Sequence, residues 1–575
     1  MLWLLSSSRN RLAISLCAAR VLRLWVKSFL ADCAAGDFRR RLGYDATTVS
    51  FGARTDRRCC RSEGALAALG PGEAYASQPF ALVRSDRARG KKVLVLGSGI
   101  AGMTAAYELG KLGYHVTVLE AATRAGGRCF SVRGGTRVTD TDGETQVCRF
   151  DRGHYYNCGP ARIPGFHVTL DYCRELGVPV EMMVNRNPHA WDYPTQGPLA
   201  GKRLRQKEVE GDQDGYVAEL LAKAVSAKSL DNELSALDRA NLLDYLSSFG
   251  WLEKDGHYSG NARSRGYAVP PGAAENQGEV GAPLPRSALL ARELGFRHFF
   301  LRSPIQQPAM LQIVGGTDQL AHAFARKLGP QIVLDAPVRE LRQDANGVRV
   351  VYGAKGKQRE ARADFAVCAL PLSILRDLQT DLSPELRSAI ASVKYEAAGK
   401  IGLQFNRRFW EEDDRIFGGN SSTDQTIMQI MYPSTGMLQK KGVLVGYYAF
   451  RENAAALQKL GHAERLEIAV AQGEKLHPPY RKHLENSFSM AWGKMPWLLG
   501  SWVDWGEVGP RPADYALLCK PEGRVHLAGD AMSFQSGWMA GAIDSARRAV
   551  LAIHARASTD LAATAPAATH SEVKP

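Results

Sequence analysis

Val93-Leu94-Val95-Leu96-Gly97-Ser98-Gly99-Ile100-Ala101-Gly102 decides how this chain is read. Four apolar residues in a row suit a short parallel strand buried on both faces. Glycines at 97, 99 and 102 permit a tight turn, close backbone approach to a pyrophosphate, and close packing of the helix that follows. A helical pattern runs from Met103 to Leu112 and breaks at Gly113-Tyr114; a second strand, His115 to Leu119, ends on Glu120. Strand, glycine turn, helix, strand and acid in this register form a dinucleotide-binding unit. Its helix N-terminus attracts the pyrophosphate, and Glu120 is placed to accept hydrogen bonds from the adenosine ribose.

Further along, Leu119-Glu120-Ala121 leads into Arg124-Ala125-Gly126-Gly127-Arg128, a second glycine turn that NAD-dependent dehydrogenases do not need. Far downstream, Arg524-Val525-His526-Leu527-Ala528-Gly529-Asp530 reads as a strand ending in Gly-Asp. Ser536-Gly537-Trp538-Met539 and a helix from Ala540 to Leu551 follow it.

Together these segments resemble the flavin-containing amine oxidase family, in particular bacterial L-amino-acid oxidases and amino-acid 2-monooxygenases. The resemblance covers about residues 88–555. It implies an α/β fold in which a discontinuous Rossmann-like FAD-binding domain joins an α+β substrate-binding domain, as two lobes. It implies FAD contacts at Gly97, Gly99, Ile100, Ala101, Gly102, Glu120, Ala121, Gly127 and Arg128. The downstream fingerprint adds Gly529, Asp530, Trp538, Met539 and Ala542, with Asp530 where the family more often has Glu. Gln312 to Asp318 resembles the family's QxxGGMD segment, Ala336-Pro337-Val338-Arg339 the strand whose valine (Val338) meets adenine, and Ala369-Leu370-Pro371-Leu372 a turn near FAD. Leu499-Gly500-Ser501-Trp502-Val503 lacks the cysteine that links flavin covalently in some members, so FAD is expected to be noncovalent.

The substrate is read from local departures. Gly159-Pro160-Ala161-Arg162-Ile163-Pro164 resembles the GPMR-I-P segment of L-amino-acid oxidases, where arginine pairs with the substrate carboxylate. A planar guanidinium suits that bidentate contact. Ala161, beside the flavin, is smaller than usual there; an Arg162 that is structural or that binds FAD is the competing reading. Lys400 matches a buried family lysine that holds a water near flavin N5, against the alternative of an edge-strand lysine facing solvent. Trp538 and Tyr447 fit the aromatic walls around the amine, with Tyr448 an alternative to Tyr447. His154 and His167 flank Arg162 and read as structural.

The resemblance therefore implies FAD-dependent oxidative deamination of an L-amino acid. Hydride leaves Cα for flavin N5, the imine hydrolyses to a 2-oxo acid and ammonia, and O2 becomes H2O2. A 2-monooxygenase giving amide and CO2, a monoamine oxidase without a carboxylate clamp, and a noncatalytic dinucleotide-binding protein are the alternatives.

Around that core, the FAD domain is expected from 88–160, 305–375 and 515–558, and the substrate domain from 161–304 and 376–514. Helical spacing covers His167–Leu176, Gly215–Ala227 and Ala236–Ser248, while Glu253–Pro285 reads as a long surface loop bordering substrate entry. Residues 1–87 form a leader and 559–575 a disordered tail. Net charge is +14, but residues 1–90 hold 15 basic and 7 acidic residues, more than half of the excess. A nucleic-acid binder concentrates basic residues in its folded part, so nucleic acid is not an expected partner. Arg39-Arg40-Arg41, two small-residue runs and Ala74-Tyr75-Ala76 resemble a twin-arginine export signal, interrupted by Asp45, Arg54, Asp56, Arg57 and Arg58. Export to a bacterial periplasm or medium is one expectation, and a cytoplasmic enzyme with an extended leader the other. Ten cysteines in 575 residues, without CxxC or histidine-clustered spacing, argue against a disulfide framework or a metal site. No stretch is long and apolar enough to span a membrane. A homodimer is compatible with the sequence.

Overall fold

Lys92–Leu96, all but its first residue buried, is the central parallel strand its composition demands. The computed structural model describes residues 80–230, 233–289, 303–354, 356–505 and 512–559, all within the unit Tyr75–Pro575. The export-signal features between Arg39 and Ala76 and the tail beyond Thr559 lie outside the described residues.

The elements used below are, in chain order, β1 (Lys92–Leu96), α1 (Ile100–Lys111), β2 (His115–Leu119), α2 (Thr169–Glu175), β3 (Trp191–Tyr193) and β4 (Leu204–Arg205). Next come α3 (Gln206–Ser226), α4 (Ala236–Phe249), α5 (Asp318–Leu328), β5 (Ile332–Val333), β6 (Phe365–Cys368), β7 (Ala398–Phe405) and β8 (Gly419–Thr423). The last are β9 (Gln429–Tyr432), β10 (Gly442–Phe450), α6 (His462–Leu476), β11 (Leu484–Ala491), β12 (Val525–Leu527) and α7 (Met539–Thr559).

A parallel sheet in the order β5-β2-β1-β6-β12 joins strands that are far apart in the sequence, from Lys92 to Leu527. Helices α1, α5 and α7 supply apolar faces to the core against it, including Met103, Phe324 and Ile543, each fully buried. The third glycine is a packing residue: a Cβ on Gly102 would lie 1.9 Å from the Gly97 carbonyl oxygen. A second sheet of seven strands, β11-β7-β10-β9-β8-β3-β4, is antiparallel except where β8 meets β3. Its core face carries Ile401, Leu403, Phe405, Ile430 and Tyr447.

The three expected helices of the first insertion appear as α2, α3 and α4, with α3 starting nine residues before the expected Gly215. The last helix runs past Leu551 to Thr559 because Ile553, His554 and Ala557 still face the core. Residues 80–87, assigned to the leader by sequence, already pack on the fold: Phe80 and Leu82 rest on the core, and Val83 O lies 2.8 Å from His554 Nε2. Residues 253–285 are mainly irregular and exposed, with one short helix at Ala262–Arg265. They do not border the cavity described below; Arg265, buried against Asp212 at 2.9 Å, ties them to α3 instead. Among the described residues, no helix is long and apolar enough to cross a membrane.

Candidate active site

One cavity of about 1790 Å³ runs between the two sheets' loops. That exceeds the roughly 300–1,000 Å³ of an ordinary small-molecule pocket, and suits a dinucleotide together with a substrate. At one end, α1 begins at Gly99 with no side chain capping it, leaving its first N–H groups open to an anion. A Cβ on Gly99 would meet nothing within 4 Å, so the space in front of the helix is empty of protein. Gly97, Gly126 and Gly127 have φ of 95°, 108° and 54°, where other residues are strained.

Glu120 joins the two strands of this end: one carboxylate oxygen accepts from Ser98 N and Ser98 Oγ, both at 2.7 Å, and the other from Ala122 N at 2.8 Å. Arg128 forms an ion pair with Asp530, a residue 402 positions away, and also donates to Ser501 O. Burial opposes the Arg128 charge, yet Asp530 outweighs it and holds the guanidinium above its ordinary value. Asp530 accepts a further 2.9 Å bond from Gly537 N, fixing the turn that presents Trp538. Arg124, which sequence reading left without a role, lies 3.8 Å over the Phe130 ring and donates to Gly127 O at 2.9 Å. The open helix end, the empty cradle at Gly99 and the arginines fit an FAD pyrophosphate.

At the other end stand Arg162, Lys400, Trp538 and Tyr448. Lys400, 5% exposed, donates to Gly159 O at 2.6 Å and Asn157 O at 3.2 Å. Burial, with Arg162 adding to it, pushes its ammonium down to about 7; Cys158 opposes. Arg162 lies 3.4 Å from Asn185 Oδ1, and among the described residues it has no other side-chain hydrogen bond and no carboxylate pairs with it. Burial holds its guanidinium below the usual value. Trp538 meets His167 edge-on at 5.0 Å, and His167 meets Phe166 the same way at 5.0 Å. Burial lowers His167 to about 4, so its imidazole is neutral at ordinary pH.

All the site residues named from the sequence line this cavity except Gly102 and Tyr447. Gly102 acts one layer back, through packing. Tyr447, 1% exposed, points into the core opposite Ile401, whereas Tyr448 stands opposite Lys400 and lines the cavity. Successive strand residues point to opposite faces, so only one of the pair can reach the site. His154 does not line the cavity, but His167 does. Sequence reading also missed the wall formed by Asn420, Ser422, Gln429 and Met431, whose polar alternation carries no motif. Among the described residues, no three His, Cys, Asp or Glu side chains are grouped to hold a metal ion.

The family model described as flavin containing amine oxidoreductase matches residues 100–554. The chain is 27% identical over 474 residues to a putative L-amino-acid oxidase, YobN, of Bacillus subtilis (strain 168), covering 80% of this chain and 93% of that protein. It is 28% identical over 504 residues to the flavin-dependent L-tryptophan oxidase RebO of Lentzea aerocolonigenes, covering 81% and 98%. Among solved structures, putrescine oxidase bound to putrescine superposes with a TM-score of 0.54 at 19% identity, covering 81% of this chain and 99% of that one. Cyclohexylamine oxidase from Brevibacterium oxydans IH-35A gives the same TM-score, 0.54, at 19% identity, with coverage of 81% and 99%. These two likenesses speak for the fold.

Proposed function

Because the chain belongs to the flavin containing amine oxidoreductase family, and is an FAD-dependent oxidoreductase acting on CH–NH2 groups, we propose that it oxidatively deaminates an L-amino acid. The observation that carries this reading is Arg162. A half-buried guanidinium that meets no carboxylate among the described residues is costly to hold charged, and its bond to Asn185 is long and neutral. An α-carboxylate brought by the substrate supplies the missing charge in the two-pronged geometry an arginine favours. A simple amine supplies none. The relatives named as L-amino-acid and L-tryptophan oxidases support the same substrate class.

FAD, when bound, would supply the two-electron acceptor for the Cα–H bond and the means by which O2 takes up those electrons. Each side chain then has a limited task. Arg162 fixes the carboxylate, so that Cα is held in one orientation. Tyr448 and Trp538 exclude water and favour the uncharged amine. Lys400 Nζ, with two of its N–H bonds given to carbonyls, can hold a proton and direct its third toward the cavity. The cofactor is noncovalent. Cys129 and Cys158, which line the cavity, are pushed up to about 12 by burial and stay as thiols.

The same reading assigns the nucleotide lobe to 88–160, 305–375 and 515–558, and the substrate lobe to 161–304 and 376–514. The test is peroxide release from L-amino acids and from their decarboxylated amines, with product analysis. Amino acids turned over to 2-oxo acid and ammonia support the proposal. Preference for the amines refutes it, and amide with CO2 assigns the 2-monooxygenase outcome.

A further inference from the structure

Behind the cavity wall runs a buried hydrogen-bond chain that the oxidation itself does not use. In β8 and β9, alternation puts Asn420, Ser422, Gln429 and Met431 on the cavity side and Ser421, Ile430 and Tyr432 in the core behind them. Trp191 N, from β3, donates to Ser421 Oγ at 2.9 Å. Ser421 Oγ lies 2.6 Å from Tyr432 Oη, and Tyr432 Oη lies 2.6 Å from His477 Nε2. At the far end, His477 Nδ1 lies 2.7 Å from Asp414 Oδ2. His477 and Ser421 are wholly buried and Tyr432 is 2% exposed.

The two ends fix the direction of this chain. A carboxylate only accepts, so His477 Nδ1 carries a proton. Burial lowers the His477 pKa, Asp414 opposes, and Arg203 and Arg205 reinforce the lowering; the ring is neutral and its Nε2 accepts. Tyr432 therefore donates to His477, and Ser421 donates to Tyr432 while its own oxygen receives the Trp191 N–H. Every donor has one acceptor. The chain ties together β3, β8, β9, the end of α6 and the Asp414 loop. Buried, fully satisfied networks of this kind fix one arrangement of the elements they join.

We propose that Asp414, His477, Tyr432 and Ser421 are positioning residues that hold the wall of Asn420, Ser422, Gln429 and Met431 in place, and so set which substrate side chains are accepted. The proposal rests on the reading that this wall faces the substrate. The four wall residues carry amide, hydroxyl and thioether groups and no charge. The substrates most sensitive to the chain are those whose neutral side chains are long enough to reach it.

The experiment uses the holoenzyme and a panel of L-amino acids and amines graded by side-chain length. Tyr432→Phe removes the middle link, so the Ser421 O–H loses its acceptor and His477 Nε2 loses its donor, while Ser421 Oγ keeps the Trp191 N–H. The expected result is a KM raised about ten-fold for long neutral substrates, with kcat changed less than about two-fold. The shortest substrate, such as L-alanine, and the flavin absorption spectrum stay as in the parent. Loss spread evenly over the panel, loss of flavin, or no change anywhere overturns the proposal. Ser421→Ala cuts the chain next to the wall with a smaller change of volume; its selectivity must shift the same way, and parental selectivity in that variant also overturns the idea. If amines are oxidised and amino acids are not, the carboxylate reading fails, while length dependence among the amines still decides this one.

Discussion

Lys400 and Tyr448 stand directly opposite each other on β7 and β10, with Nζ 4.6 Å from the centre of the phenol ring. Directly opposed residues of an antiparallel pair share a face, so the ring and the amine enter the cavity together. Arg162 lowers the proton affinity of Lys400, which places the three groups in one electrostatic neighbourhood.

The first expectation concerns pH. Lys400 releases its proton near pH 7, against 10.5 for the ordinary side chain. Between those values the unfolded chain holds one proton more than the folded one, so stability rises with pH across that window and is flat below it. Melting temperature measured from pH 7 to 9 should rise more in the parent than in Lys400→Met. The rate of flavin reoxidation by O2 should show an inflection near pH 7 in the parent that Lys400→Met lacks. Parallel pH profiles in the two proteins would remove Lys400 from the chemistry.

Arg162 is expected to act on carboxylate-bearing substrates alone. Arg162→Met should lower kcat/KM for L-amino acids by about a hundred-fold or more, since a buried charge pair is lost. Arg162→Lys should recover only part of this, because an ammonium lacks the two-pronged geometry. Amines without a carboxylate should change less than about three-fold. Burial opposes the Arg162 charge, so the ligand-free Arg162→Met protein should melt no lower than the parent. Equal losses on amines and amino acids would make Arg162 structural.

Tyr447 and Tyr448 should separate stability from turnover. Tyr447 is packed in the core, and its hydroxyl bonds to Ser489. Tyr447→Ala should cost about 3–5 kcal/mol in denaturant unfolding, as large core truncations do. Tyr448→Ala removes a half-buried cavity wall and should raise KM and lower kcat with a small effect on unfolding. The reverse pattern would return Tyr447 to the site.

Why the sequence pointed to Tyr447 when Tyr448 lines the cavity has a physical answer. Pairing between β7 and β10 slips between Ile401 and Gly402, where Tyr447 and Val445 flank an extra Gly446. Such a bulge changes the phase of a strand relative to its partner, and phase cannot be counted along one strand alone. The glycine loop, Glu120 and the Gly529-Asp530 turn were legible because local backbone geometry dictates their residue types. The wall of Asn420, Ser422, Gln429 and Met431 was not, since a polar strand face over a cavity reads the same as one facing water. Arg162 was visible as a motif; that no carboxylate among the described residues pairs with it became visible only with the surrounding side chains in place.

The glycines of the opening loop offer a test in which two substitutions three residues apart should fail in different ways. Gly99 has φ −66°, which alanine adopts without strain, and its Cβ would enter empty space in front of α1. Gly99→Ala should therefore fold as well as the parent when flavin is absent, or gain about 0.4–1 kcal/mol from a stiffer unfolded chain. Its added methyl occupies the place where a pyrophosphate would approach the backbone. FAD affinity should fall about ten-fold or more, seen as a lower flavin band at about 450 nm relative to protein absorbance. Gly102→Ala meets the Gly97 carbonyl oxygen at 1.9 Å, a backbone atom that cannot turn aside. It should destabilise the protein by about 3 kcal/mol or more whether or not flavin is supplied. Excess FAD should restore activity to Gly99→Ala by mass action and leave Gly102→Ala unrescued. Parental FAD affinity in Gly99→Ala would mean that the cofactor's phosphates do not rest on the α1 N-terminus.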